Sequence, residues 1–395
     1  MRRPLGGGGK RTWQVRITPR IPGEPGFLRW ALEGARCGTW TDEEILAAER
    51  HLADLLLALA FRTGMEGQWQ QEGARLPVRS IDLEDGEKAF RRGLDAVQPT
   101  DGRLLLEIRM PSQCEQECIF CVGNRDGPPV PVNRTDAKPG GLANCRVLLS
   151  WLAGMHRSGT KTRMMLTSSD PLNSPLLEPL LKDLAAPVVE EVFIATTGIR
   201  MADARDARWL GGLGLPIRLL MTLHGPTEEI HDFVARRSGA FREVVAALGN
   251  CREAGIPVEL NHVVVRENLE HLPETLRTAA RLGFRPWVSM FLGGDAIPEA
   301  VSRRNLVPFT AFGKLLEAHR DLVLETVQDF KHVPECVLPG WARHMGTYGY
   351  FGRRRDPPGS TPGACRDCPR FETTCMGPTK SYVDAFGSAE FHPPA

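Results

Sequence analysis

The chain has 395 residues, 42% hydrophobic and 25% charged, with a net charge of +1. That length suits one large soluble domain with extensions or two domains, and the balanced charge gives no electrostatic basis for nucleic acid or an anionic membrane as partner. No run of eighteen apolar residues occurs, so no membrane span is predicted, and ten cysteines without a secretory signal argue for a reducing, cytoplasmic setting in which clustered thiols serve metals.

The start, MRRPLGGGGKR, reads as a basic disordered tail. Residues 12–18 alternate as a short strand, and Thr41 to Glu44 forms a capping-box pattern. That box opens a helix running to about Phe61, with Ile45, Leu52, Leu55, Leu56 and Leu59 on one face. A weaker helix is predicted over 84–97. Residues 1–100 are therefore expected to be an N-terminal extension, a small α/β segment packed on the main domain.

From residue 103 strands and helices alternate. Strands are predicted at 103–109, 162–167, 189–196, 216–223, 257–265 and 285–292. Helices are predicted at 141–157, 174–185, 202–212, 227–235, 240–254 and 268–282, with a further one at 309–324. Six β–α units imply a parallel sheet with right-handed crossovers, an α/β partial (β/α)6 TIM-like barrel over 101–305. Chemistry in such a barrel sits at the C-terminal ends of the strands. Cys145 and Cys251 fall on apolar helical faces and belong to packing; Cys37 receives no role.

The first of these strands runs into LLLEIRMPSQCEQECIFCVGN, which carries Cys114, Cys118 and Cys121 in a C-x3-C-x2-C spacing, with Phe120 before the third cysteine. Three thiolates can hold three irons of a [4Fe–4S] cluster and leave the fourth iron open. Zinc is the alternative, and it wants a fourth ligand nearby.

This loop resembles that of the radical S-adenosylmethionine (SAM) superfamily. The resemblance implies that the open iron chelates the amino and carboxylate groups of SAM and that electron transfer cleaves SAM to a 5′-deoxyadenosyl radical, which abstracts hydrogen. It also implies SAM-contacting residues at the strand ends. Ser168-Ser169-Asp170-Pro171 stands where the family usually has Gly-Gly-Glu-Pro, whose backbone and carboxylate hold the SAM amino group. Thr222, with Thr197 behind it, is the candidate for the SAM carboxylate or ribose. Arg237, in HDFVARRSGAF, matches a family arginine that could pair with a carboxylate. Asn261, Val263 and Gly293 would lie around the adenine, with Phe120 stacking from the other side. His224 is a weak candidate acid or base and more often a hydrogen-bonding neighbour.

The region 306–395 is Gly- and Pro-rich and carries Cys336, Cys365, Cys368 and Cys375. Four thiolates suit zinc or a complete Fe–S cluster. The tail resembles the SPASM/twitch-like ends of radical SAM proteins, which implies a second, auxiliary [4Fe–4S] cluster. The reading is a radical SAM enzyme acting on a peptide or protein, with an electron donor such as flavodoxin or ferredoxin. The alternatives are a small metabolite or cofactor precursor as substrate, or a non-catalytic Fe–S or zinc scaffold.

Overall fold

The computed structural model describes residues 79–99, 102–121, 139–293, 297–347, 363–366, 368, 371, 375 and 377–392. The chain divides into two compact units, Met1–Gly64 and Met65–Ala395, and every described residue lies in the second. The strand and helix expected at 12–18 and 41–61, and Cys37, lie outside the described residues.

One sheet of nine parallel strands follows chain order without a break: β1 (Arg79–Asp82), β2 (Arg103–Arg109), β3 (Lys161–Thr167), β4 (Glu191–Ala195), β5 (Ile217–Thr222), β6 (Val258–Val264), β7 (Trp287–Met290), β8 (Asp329–Lys331) and β9 (Gly346–Thr347). No pairing joins β9 back to β1 among the described residues, so the order is open. The connections are α1 (Glu87–Asp95), α2 (Pro139–Arg157), α3 (Leu177–Lys182), α4 (Ala204–Gly211), α5 (Glu228–Ala235), α6 (Ala240–Glu253), α7 (Leu272–Arg281), α8 (Glu299–Asn305), α9 (Phe309–Ala318) and α10 (Arg320–Thr326). Beyond β9 lie α11 (Gly363–Arg366) and α12 (Lys380–Phe386). Among the described residues no helix is long and apolar enough to cross a membrane.

The six predicted strands are β2 to β7. The sheet is larger than expected because β1, β8 and β9 add four, three and two residues, lengths over which alternation carries no signal. Residues 79–95, expected in an extension, thus supply a strand and a helix of the main sheet. The helix expected at 309–324 is two helices, broken at His319, and the one at 174–185 is reduced to α3 behind a 3-10 turn, Pro171–Asn173.

Side chains of period two sort the two faces of the sheet. Leu104, Leu106, Ile108, Met164, Leu166, Val192, Ile194, Leu219 and Leu260 point outward into one apolar core with Leu148, Leu180, Leu210 and Leu248 of the helices. Cys145 and Cys251 are buried in that core, as expected. The inner face is mixed. Leu105, Met165, Phe193 and Trp287 form a small apolar cluster. Beside it runs a charged chain in which Glu191 meets Arg163 (3.9 Å) and Arg218 (3.0 Å), and Arg218 also meets Glu259 (3.1 Å). Charges this buried persist because each has a partner; removing one would strand the next.

Candidate active site

The cysteine loop leaves the C-terminal end of β2 and is held from both sides. At its start the Asp170 N–H donates to Ser112 Oγ (3.1 Å), and Asn173 Nδ2 donates to the Gln113 carbonyl (3.2 Å). At its end the Glu117 and Ile119 N–H groups donate to the carbonyls of Ala235 (3.1 Å) and Val234 (2.9 Å). Asn305 Nδ2 donates to the Ile119 carbonyl (3.0 Å). The loop is thus suspended between the ends of β3, α5 and α8, on the face where a parallel α/β sheet places its chemistry.

The three thiols share one neighbourhood. Burial pushes the Cys118 thiol up, and the charges of Cys121 and Cys114 add to this. Burial likewise raises Cys114 to about 12, with Asp170, Cys121 and Glu115 adding to it. Cys114 and Cys118, half-buried and resistant to ionisation, form with Cys121 a donor set that a cation would convert to thiolates, since a coordinating thiol is deprotonated outright. Among the described residues no three or more His, Cys, Asp or Glu side chains gather to hold a single ion. A [4Fe–4S] cluster asks for something else, one thiolate on each of three separate irons. The donor set fits that group.

The β3 end is built with its carboxylate facing inward. Asp170 is fully buried and accepts hydrogen bonds from the Leu172 N–H (3.1 Å), Thr196 Oγ1 (2.7 Å), and the Thr197 N–H (3.2 Å) and Oγ1 (2.5 Å). Burial raises the pKa of Asp170 above the usual carboxylate range, and these donors oppose the shift. The expected SAM-amino contact through this carboxylate is therefore not what the geometry offers; Asp170 ties β3 to β4, and Thr197 is committed to it. The exposed part of the motif is Ser168 and Ser169. Ser168 has φ 152°, a backbone region natural to glycine, so the conformation persists where the usual glycine does not.

Arg237 also differs from expectation. Its guanidinium takes both oxygens of Glu243 (3.1 and 2.8 Å) and reaches Glu115 of the cysteine loop (3.5 Å). Asp232 accepts from the N–H groups of Gly239 (2.5 Å) and Phe241 (2.8 Å) and caps α6. The stretch HDFVARRSGAF is thus a bracket for the loop, because its charged side chains are used up within the protein.

The remaining candidates lie at or near the C-terminal ends of β5, β6 and β7 and on the cysteine loop. Thr222 is half-buried at the end of β5 and pairs in register with Asn261 of β6. Asn261 Oδ1 accepts from Ser289 Oγ (2.6 Å), and Val263 is half-buried beside it. Gly293 has φ 67°, and a Cβ there would lie 3.0 Å from Ser302 and Ser381 side-chain atoms. Phe120 packs edge-on to His224 (centroids 5.5 Å apart) and against Phe291 (5.9 Å).

Three histidines behind the loop went unrecognised as a group. His224, His231 and His262 are all buried. His231 Nδ1 accepts from the His224 N–H (3.1 Å), and His262 Nδ1 lies 2.7 Å from the Leu223 carbonyl, to which it must donate. Burial lowers His231 and His262 to about 4 and His224 well below its ordinary value, so all three are neutral. The sequence signal was present: polar rings at 224, 231 and 262 inside apolar surroundings.

The C-terminal thiols also meet. Burial raises Cys375 to about 12, and Cys336, Cys365 and Cys368 each add their charge; Cys365 is raised to about 11 by burial and by Cys336 and Cys368. The Gly377 N–H donates to Cys375 Sγ (3.4 Å). The segment is fastened to the sheet through Thr379 Oγ1, which donates to the Leu292 carbonyl (2.5 Å), and through Tyr382, whose hydroxyl accepts from the Phe309 N–H (2.7 Å).

Residues 108–279 match the family model described as the radical SAM superfamily. The chain is similar to the PqqA peptide cyclase of Ruegeria pomeroyi, 34% identical over 93 residues, covering 23% of this chain and 24% of that protein. It is similar to the AdoMet-dependent heme synthase of Methanosarcina barkeri, 23% identical over 193 residues, covering 49% and 52%. Among solved structures, native anSMEcpe with bound AdoMet and Cp18Cys peptide aligns with a TM-score of 0.46 at 14% identity, covering 73% of this chain and 92% of that one. The chain spans from about a quarter to about half the length of these two curated relatives.

Proposed function

We propose, from the match of residues 108–279 to the radical SAM superfamily model, that this chain cleaves SAM reductively and uses the resulting radical to take hydrogen from a peptide or protein. The observation that carries the reading is the triad Cys114, Cys118 and Cys121, gathered on one loop at the C-terminal mouth of a parallel sheet. Cys114, Cys118 and Cys121 would hold a [4Fe–4S] cluster, which when bound would supply the electron for reductive cleavage of SAM.

The chain's own residues do the rest. The backbone of Ser168 and Ser169 lies exposed at the β3 end, where it can meet the SAM amino group. Thr222 presents a hydroxyl for the carboxylate or ribose, while Asn261, Val263, Gly293 and Phe120 would border the adenine side. Positioning of this kind is what a protein contributes to radical chemistry: it holds the reacting carbon against one hydrogen and keeps water away. Cys336, Cys365, Cys368 and Cys375 are proposed to hold a second [4Fe–4S] cluster, with zinc as the competing occupant. A flavodoxin or ferredoxin in a reducing cytoplasm would supply the electron.

A peptide substrate is favoured by the likeness to a protein named PqqA peptide cyclase. The likeness to heme synthases supports a second reading, a small cofactor precursor. The test is anaerobic reconstitution with iron, sulfide and zinc analysis, followed by a dithionite-driven assay for 5′-deoxyadenosine. About eight irons per chain with deoxyadenosine formed is the expected result. Zinc alone, without deoxyadenosine, would establish a scaffold. Deuterium transfer into deoxyadenosine from labelled peptides or labelled porphyrin precursors then separates the two substrate classes.

A further inference from the structure

Cys118 Sγ lies 3.7 Å from His224 Nε2, within hydrogen-bonding reach for sulfur. We propose that His224 donates its Nε2–H to the cluster-ligating sulfur of Cys118 and thereby raises the reduction potential of the SAM-binding cluster. The inference rests on the three-cysteine cluster reading above and assigns His224 as a positioning and tuning residue, not an acid or base.

The direction of the bond follows from chemistry. A free thiol could give its proton to the imidazole, but a thiolate bound to iron has none and can only accept. Favourable contact then requires the Nε2–H tautomer. The other ring nitrogen permits it, since His224 Nδ1 is buried without a hydrogen-bonding partner. An acceptor left bare is tolerated better than a buried N–H left bare.

The ring cannot easily turn away. The His224 N–H is held by His231 Nδ1 (3.1 Å), and its carbonyl accepts from Asn268 Nδ2 (2.9 Å). Its faces are bounded by Phe120, 5.5 Å away at 68°, and by His231, 5.2 Å away at 52°. The next residue is Gly225, where a Cβ would come within 2.8 Å of the His231 nitrogen, so the turn is tight enough to demand glycine. One buried histidine, one buried asparagine and Phe120 thus fix one imidazole against one sulfur.

Adding an electron to the cluster increases negative charge on its sulfur ligands. A donor aimed at one of them stabilises the reduced form more than the oxidised form, so a low-potential one-electron donor such as dithionite reduces the cluster more readily. The experiment compares wild type with His224→Leu and His224→Gln, each reconstituted anaerobically. Iron and sulfide are counted first, and the electron paramagnetic resonance signal that SAM perturbs is then titrated against potential.

His224→Leu is expected to lower the reduction equilibrium constant about tenfold, near 59 mV for one electron. His224→Gln, which keeps an N–H at similar reach, should recover at least half of that shift. An unmoved potential in a fully loaded Leu variant overturns the proposal. If the Leu variant fails to fold or load, the wild type decides the matter through histidine labelled with nitrogen-15. A hyperfine coupling of that nitrogen to the SAM-responsive signal supports the bond, and its absence overturns it. A wild type that holds iron but shows no SAM-responsive signal overturns the underlying functional reading as well, which marks that failure as a different one.

Discussion

The two groups of cysteines are built on opposite principles. Cys114, Cys118 and Cys121 lie within eight residues, and five hydrogen bonds from 170, 173, 234, 235 and 305 hold their loop in place. Among the described residues, Cys336 lies in a 3-10 turn, Cys365 in the four-residue α11 and Cys375 in a single bridge to Phe371. A four-residue helix has no stability of its own. Among the described residues the first site is a framework ready for the cluster proposed above; the second is a segment that the metal proposed there would organise. The difference teaches that similar ligands can stand at the end of folding or at its start.

The widest separation comes from removing ligands. Changing Cys114, Cys118 and Cys121 together to alanine should abolish deoxyadenosine formation, while iron falls by about four per chain and the C-terminal metal stays. Surviving cleavage would collapse the distinction. Cys368→Ala, or stripping metal with a chelator, should make residues 363–377 sensitive to limited proteolysis. Fragments mapped by mass spectrometry would show the β2–β7 region resisting under the same conditions.

Smaller effects probe the framework itself. Asp170→Ala removes the acceptor for four donors and should destabilise the metal-free chain by about 3 kcal/mol in denaturant titration. An indifferent outcome would mean that the first loop, too, depends on its cluster for order. Acid should act in the same direction. His231 and His262 are neutral and held near 4, whereas unfolded histidine takes up a proton below about 6.5. Stability is therefore intact above that value and is lost as pH falls from 6.5 towards 4, on the order of 2 kcal/mol per histidine by pH 5. His262→Asn, which keeps an N–H for the Leu223 carbonyl, should flatten that slope. The smallest effect is a gain: Ser168→Gly relieves a backbone angle that serine rarely adopts and should add about 1 kcal/mol.

Much of the framework was legible because its signals are local. Strands β2 to β7 are long enough for apolar alternation, and the helices between them carry their own period. The cysteine spacings are equally plain. What escaped reading depends on distant partners. Arg237 looks like a ligand for an anion until Glu115 and Glu243 are seen beside it. Asp170 looks like a carboxylate for the SAM amino group until Thr196 and Thr197 close over it. The inner charges, Arg163, Glu191, Arg218 and Glu259, sit singly in apolar strands, and only the curvature of the sheet turns four isolated residues into one chain.

The unbroken order of the strands sets a timetable for the ribosome. Each new strand lays itself against the one made just before, so the sheet can grow as the chain emerges from the exit tunnel. The cysteine loop follows β2, early in that schedule, yet its last braces are Ala235 and Asn305. At ~10 residues per second the loop would be exposed for roughly 20 seconds before its final brace is synthesised. A nascent chain of that length offers three bare thiols to the cell. Delivery of iron and sulfide is thereby best timed after residue 305, and shielding of those thiols from oxygen and stray copper becomes a task for whatever meets the chain before then.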